Sequence, residues 1–299
     1  WDKELLSFAG IDEALLSTPV PTGSAAGTIK AALAKELGVS EDAVIVSGAH
    51  DQIAAMCGAN ITANEQVMDG TGTVECVPVL FENIPKDYEL YAMGYSLAPH
   101  PNGGYACYAL SYTGGATLKW FRENFSDKSY AELDKTVGEA PTDLLIMPHF
   151  AGAATPYMDT NSKAAVFGLT FEHTKSDLYK ALMEGTAYEI ALNLAILEQR
   201  GLCAKSVTAT GGGARSDVWL QIKADVLGLP VTALDGKEVG GAGTAVMAGR
   251  AVGVYSKDTI LVKPRKTFYP DEKRHEYYLC QLKKYQKIYQ AAKEVMRDE

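Results

Sequence analysis

The stretch from Val207 to Leu229, VTATGGGARSDVWLQIKADVLGL, passes from a short apolar strand through three glycines into an amphipathic helix. Asp217 falls in the first helical turn, and Gly228 ahead of Leu229-Pro230 supplies the stop. Gly211, Gly212 and Gly213 tolerate backbone angles closed to other residues and put no side chain between a ligand and the main chain. The helical N–H groups just beyond them carry a partial positive charge suited to an anion. The same residues serve equally well as a tight strand-to-helix turn that binds nothing, since glycine-rich turns are common punctuation.

Outward from this corner the chain repeats the device. Val44-Ile45-Val46 reads as a strand, Ser47 to Gln52 as a turn with Asp51 at its tip, and Ile53 to Cys57 as a small-residue helix. Before it, Ile29, Leu33 and Leu37 recur at helical spacing, so Ser24 to Leu37 is expected to be a helix stopped by Gly38. After Glu65 three strand-like runs follow: Gln66 to Val79, broken by Asp69-Gly70-Thr71-Gly72-Thr73, then Leu90 to Ala98, then Tyr105 to Tyr112. An antiparallel meander is the natural result. The order then alternates: helix Gly115 to Phe125, strand Leu144 to Met147, helix Asp177 to Arg200, the opening strand-turn-helix, strand Val231 to Leu234 and helix Ala242 to Val252. Alternation implies parallel strands with crossover helices. Antiparallel strands followed by such alternation give the order of a ribonuclease-H-like α/β unit, a mixed sheet flanked by helices. Phe150 to Lys163 reads as a long loop. A last helix from about Glu272 carries Tyr278, Leu282, Tyr285, Tyr289, Ala292 and Met296 on one stripe, expected to pack on its own domain.

Composition sets limits. The 299 residues, 47% hydrophobic and 22% charged, suffice for one large or two ordinary globular domains. A net charge of -9 argues against a nucleic-acid footprint, while leaving an anionic small molecule open because local loops and bound ions reverse a global sign. Cys57, Cys76, Cys107, Cys203 and Cys280 are widely spaced and odd in number, which fits buried thiols in a reducing compartment better than disulfides or a zinc site. There is no signal-peptide pattern and no apolar run long enough to span a bilayer, so a cytoplasmic protein without membrane contact is expected. The start at Trp1, without methionine, is compatible with a piece of a longer protein.

Familiar nucleotide motifs fail. Gly236-Lys237 continues with Glu238, so there is no P-loop, and Gly241-Ala242-Gly243 does not continue as a Rossmann fingerprint. Two less familiar features stay open. Asp69 to Thr73 is either an ordinary hairpin turn or a nest of N–H groups with threonine hydroxyls facing a phosphate. Asp51 is either a helix cap or, at the tip of a cleft, a general base for a hydroxyl nucleophile.

Taken together, Gly48-Ala49-His50-Asp51-Gln52, Asp69-Gly70-Thr71-Gly72-Thr73, Gly114 to Trp120, Ala164 to Glu184 around Phe167-Gly168-Leu169, Gly211 to Leu229 and Gly240 to Gly249 resemble, in order and spacing, the FGGY carbohydrate kinases. The resemblance covers nearly the whole chain. It implies the actin-like ATPase form of the ribonuclease-H-like fold and ATP-dependent phosphorylation of a sugar or polyol hydroxyl. It implies that Asp51 is the catalytic base and that Gly70, Thr71, Gly72 and Thr73 hold phosphates. Gly115 and Lys119 would line the nucleotide pocket, although the family often has glutamine where Lys119 stands. Gly212, Gly213, Ala214 and Asp217 would form the adenine side, with Asp217 in place of an asparagine found in glycerol kinases. Mg2+ would bridge the phosphates largely through water.

The family's N-terminal Asp-x-Gly-Thr loop is missing here. Residues 1–60 therefore resemble the end of a sugar-binding first domain and 61–299 the nucleotide-binding second domain. On this reading the chain alone would bind adenine nucleotide weakly and transfer phosphate negligibly, and the protein would assemble as a homodimer. The competing reading is a non-catalytic nucleotide-binding module of the actin-like superfamily, which has no need of the carboxylate at Asp51.

Overall fold

The computed structural model describes residues 1–296 except 87 and 237, so the Gly236-Lys237 pair lies partly outside the described residues. In chain order the elements are α1 (Lys3–Ala9), β1 (Ala25–Thr28), α2 (Ala31–Leu37), β2 (Val44–Val46), α3 (Asp51–Gly58), β3 (Gln66–Thr71), β4 (Glu75–Phe81), α4 (Tyr88–Ala92), β5 (Ser96–Pro99) and β6 (Tyr105–Ser111). There follow α5 (Gly115–Phe125), α6 (Tyr130–Asp134), β7 (Leu145–Met147), β8 (Ala165–Phe167), α7 (Lys175–Glu198), β9 (Ser206–Gly211), α8 (Asp217–Leu227), β10 (Val231–Asp235), α9 (Val239–Ala251), β11 (Lys263–Phe268), α10 (Glu272–Tyr285) and α11 (Ile288–Met296).

Seven strands form the central sheet in the order β11-β10-β9-β3-β4-β6-β5. β3, β4 and β6 pair antiparallel, whereas β9 runs parallel to β3 and β10 parallel to β9. That is the ribonuclease-H-like arrangement. Alternate side chains divide between the two faces as the pleat requires. Val67, Val77 and Val79 pack with Ile190, Leu194 and Leu220 of α7 and α8. Met68, Cys76 and Leu80 point the other way, onto Ile53 and Met56 of α3 and Met247 of α9. A further core beyond the first face joins Phe121, Leu182, Tyr188 and Trp219 to Tyr278, Tyr285 and Tyr289, so the aromatic stripe of the last helices packs on its own domain as expected.

Several local expectations need correction. Ser24 to Leu37 is a strand and then a helix: β1, irregular at Gly27 with φ +146°, pairs with β2 before α2 begins. The run from Gln66 to Val79 is broken into two strands as expected, but Asp69 to Thr71 still belong to β3 and the turn is Gly72 to Val74. Leu90 belongs to the short helix α4, and β5 pairs with the outer edge of β6 while β4 pairs directly with β6, so a simple meander does not form. β7 leaves the main sheet and pairs antiparallel with β8. It sits under α7, where the carbonyl oxygen of Ile146 occupies the space a Cβ at Gly185 would need. The last helix is two, α10 and α11, divided at Gln286-Lys287. All five cysteines are free, but Cys203 and Cys280 are exposed, not buried. No described helix is long and apolar enough to cross a membrane.

Candidate active site

The parallel pairing of β3 and β9 sets Thr71 beside Gly211 at the strand ends. Gly211 has φ +82°, and a Cβ on it would collide with the Thr71 carbonyl. A Cβ on Gly213 would come to 2.5 Å from Thr71 Cγ2 and 3.0 Å from its Oγ1. Two of the three glycines are therefore bare because the neighbouring strand presses on them. Gly212 is different. It is exposed, its dihedrals (-66°, -39°) suit any residue, and the nearest atom to a Cβ there is the Thr71 oxygen at 3.9 Å.

The β3–β4 turn repeats the contrast. Gly72, Thr73 and Val74 are exposed, and a Cβ on Gly72 would meet nothing closer than the Val74 oxygen at 3.8 Å. Its neighbour loop is crowded: a Cβ on Gly115 would come to 2.8 Å from the Gly72 oxygen, and one on Gly114 to 2.7 Å from Glu75 Oε2. The crowding comes from hydrogen bonds, since the Gly115 N–H donates to Gly72 O at 2.9 Å and the Gly114 N–H to Thr73 O at 2.9 Å. The N-terminus of α5 thus holds the turn by its carbonyls.

Under the turn lies a charge cluster that sequence reasoning missed. Lys223 of α8, 1% exposed, donates to Asp69 Oδ2 at 2.5 Å, Glu75 Oε1 at 2.5 Å and Thr71 Oγ1 at 2.6 Å. The Thr71 hydroxyl, buried with them, donates to Glu75 Oε1 at 2.9 Å. Burial, reinforced by the charge of Asp69, pushes the Glu75 carboxyl well above the usual carboxylate range against the pull of Lys223. Burial alone would lower Lys223, but the two carboxylates outweigh it and hold the ammonium above its ordinary value. Of the turn residues, Thr71 faces inward and Thr73 offers its hydroxyl to solvent. A signal for the cluster existed in the sequence: Lys223 sits four residues after Trp219 on the apolar face of its helix, and Asp69 and Glu75 interrupt apolar strands. Charges in such places need partners.

Asp51 opens α3 next to this turn. The Oε1 of the adjacent Gln52, buried and unpaired, would lie 3.2 Å from a Cβ on Gly70. Asp51 itself is 79% exposed, with His50 Nδ1 at 3.0 Å from Oδ1. The helix cap falls to His50, whose Nδ1 accepts from the Gln52 N–H at 3.3 Å, so the Asp51 carboxylate is left facing outward.

On the far side of the glycine turn, Thr210, Gly211, Gly212, Ala214, Arg215, Asp235, Gly236 and Arg265 border a cleft of about 300 Å³ at the C-terminal ends of the parallel strands β9 and β10. Such ends are where open α/β sheets take ligands. Asp217 borders a neighbouring cleft of about 430 Å³ with Gly138, Gln221 and Lys266. It is clamped by Arg265 Nη1 at 2.9 Å and Lys266 Nζ at 2.8 Å. Partial burial works to raise its carboxyl, but these two cations prevail and hold it low. Lys119 lies on the exposed side of α5, 3.7 Å from Glu123. The structure thus gathers Gly70 to Thr73, Gly115, Gly212 to Ala214 and the Asp51 corner around one turn, with Asp217 at its outer edge. It shows no contact from Lys119 to the others. Arg215, Asp235 and Arg265 are further cleft residues that no sequence pattern marked.

A model of the C-terminal domain of the FGGY family of carbohydrate kinases matches residues 72–252, and one of that family's N-terminal domain matches residues 1–58. A xylulose kinase of Staphylococcus epidermidis is 27% identical over 308 residues, covering 100% of this chain and 61% of that relative. An autoinducer-2 kinase of Enterobacter sp. is 28% identical over 312 residues, covering 97% of this chain and 58% of that relative. The crystal structure of a xyloylose kinase from Brucella ovis superposes with a TM-score of 0.89 at 25% identity, over 99% of this chain and 62% of that one. The chain spans about six-tenths of the length of these relatives.

Proposed function

We propose, from the premise that this chain belongs to the FGGY family of carbohydrate kinases, that its protein transfers the γ-phosphate of ATP to a sugar or polyol hydroxyl. The observation that carries the reading is the pair Gly72 and Gly212. Neither a left-handed backbone nor a neighbouring atom requires glycine at these positions, and both are exposed. A ligand lying on the main chain accounts for both, as phosphates and a nucleoside would. Gly70, Gly72 and the Thr73 hydroxyl then hold phosphate oxygens, while Thr71 anchors the turn from within. Gly115 fixes the turn's carbonyls, and Gly212, Gly213 and Ala214 border the adenine side, with Asp217 and Lys119 further out.

Phosphoryl transfer needs positioning and charge stabilisation more than covalent chemistry. Asp51 supplies the remaining group: an outward carboxylate that accepts the proton of the attacking hydroxyl. Among the described residues no cluster of three or more His, Cys, Asp and Glu is arranged to hold a metal ion. Mg2+ would come with the nucleotide phosphates, held mostly by water, and would neutralise charge there. Action in the cytoplasm agrees with this use of ATP.

The test is Asp51→Asn in the full-length protein, assayed for ADP release against a panel of sugars and polyols. Turnover is expected to fall by at least about a hundredfold, the lower range for a lost general base, with ATP affinity little changed. Near-normal turnover would remove Asp51 from the chemistry.

A further inference from the structure

The cluster of Lys223, Asp69, Glu75 and Thr71 sits immediately beneath the turn on which the kinase reading places phosphates. It joins three separate parts of the chain: α8, the end of β3 and the start of β4. Its contacts continue outward. Thr71, held by Lys223, presses on Gly211 and Gly213, and Glu75 Oε2, buried without a hydrogen-bond partner, lies against Gly114 at the head of α5. Lys223 Nζ also lies 4.7 Å from the centre of the Trp219 ring, whose indole N–H donates to Met183 O. One ammonium therefore ties together the hairpin, the glycine turn and the α5 loop.

Charge makes the arrangement more than a strut. Two carboxylates behind a polyphosphate site repel the ligand, and in a dry interior that repulsion is poorly screened. Lys223 Nζ, 2.5 Å from an oxygen of each, is the cation that faces both. We infer that Lys223 is a positioning residue for phosphate binding: it fixes the Gly72-Thr73 turn from below and neutralises the carboxylates that would otherwise oppose the polyphosphate. The inference rests on the kinase reading for the identity of the ligand. It adds a residue that touches no ligand, and its role is separable from architecture because it depends on the sign of the charge.

Calorimetric titration of the full-length protein with ATP, ADP and adenosine tests it. Lys223→Met removes the cation that faces both carboxylates, and is expected to weaken ATP and ADP by at least about tenfold while adenosine changes by less than about threefold. Asp69→Asn retains the ammonium, so ATP binding should not weaken. The double variant Asp69→Asn/Lys223→Met removes one charge of each sign from the cluster and should bring ATP back to within about threefold of wild type. These last two decide the matter even where Lys223→Met does not fold. Loss of adenosine in step with ATP, or equal weakening by Asp69→Asn, would reduce Lys223 to a plain structural tie. A wild type that binds ATP with no change across the set overturns this inference alone. A wild type that binds no adenine nucleotide overturns the kinase reading and this inference with it.

Discussion

Gly211 and Gly212 are neighbours in sequence, yet they lack side chains for different reasons. At Gly211 a methyl group would meet the Thr71 carbonyl in a backbone with φ +82°, so Gly211→Ala is expected to cost about 2 kcal/mol or more of folding free energy. Gly212→Ala enters open space in an ordinary helical conformation and should shift stability by less than about 0.5 kcal/mol. Its cost should appear in ATP affinity. Urea unfolding and ATP titration of the two variants separate the cases; equal destabilisation would mean Gly212 is also bare for packing. The triple glycine was legible in sequence as a corner, and so was the Asp51 corner. Which glycines are bare because a neighbour crowds them was not legible, because the answer depends on Thr71, about 140 residues away along the chain. Lys223 was hidden by the same distance: its carboxylate partners lie on other elements, and a lone lysine on a helix ordinarily reads as solvated.

Element by element, length did not decide what read correctly: α7, α8 and the three-residue β2 did, whereas Ser24 to Leu37 and the last helix did not. α7 and α8 announce themselves through spacing and stops, whereas β7, three residues long, could join either sheet because pairing is decided by what lies across from it. α7 also carries a charge that periodicity alone cannot interpret. Glu184 is fully buried and accepts from the Thr142 N–H at 3.1 Å and from the Tyr278 hydroxyl at 2.7 Å, clamping α7 to the segment ahead of β7 and to α10. Burial raises its carboxyl above the usual 4.5, with the bonds from Thr142 and Tyr278 opposing but not cancelling the effect. The unfolded chain therefore sheds this proton first as pH rises. The associated stability is fully present below the ordinary carboxyl range and is lost as pH climbs through the folded-state value. Thermal melting of wild type and Glu184→Gln from about pH 4 to pH 7 should show the wild type losing ground to the variant as pH increases. A difference in melting temperature that stays level across this range would show that the carboxyl is not held protonated.

At the scale of the molecule, the chemistry depends on how the segment matching the family's N-terminal domain meets the segment matching its C-terminal domain. They meet at α3 and α9, two helices whose small residues were legible singly but whose crossing was not. A Cβ on Gly243 would fall on the Ala54 carbonyl, and one on Gly58 on the Val239 carbonyl, so the backbones are in direct contact. Small residues permit that approach, and nothing larger fits without separating the helices. Asp51 is the first residue of α3, with its own carbonyl against Gly240 at the start of α9. The crossing therefore sets the distance between the proposed base and the β3–β4 turn. Gly243→Ala should push α3 outward, lowering the melting temperature by several degrees, on the order of that expected for 1–2 kcal/mol. Because a displacement of about 1 Å at a reacting group costs up to about a hundredfold in rate, turnover by the full-length protein should fall far more than ATP affinity, since the β3–β4 turn is held by α5 and by Lys223 of α8. If turnover and affinity fall together, the crossing supports the fold as a whole; if only stability changes, the Asp51 corner is held by something other than α9.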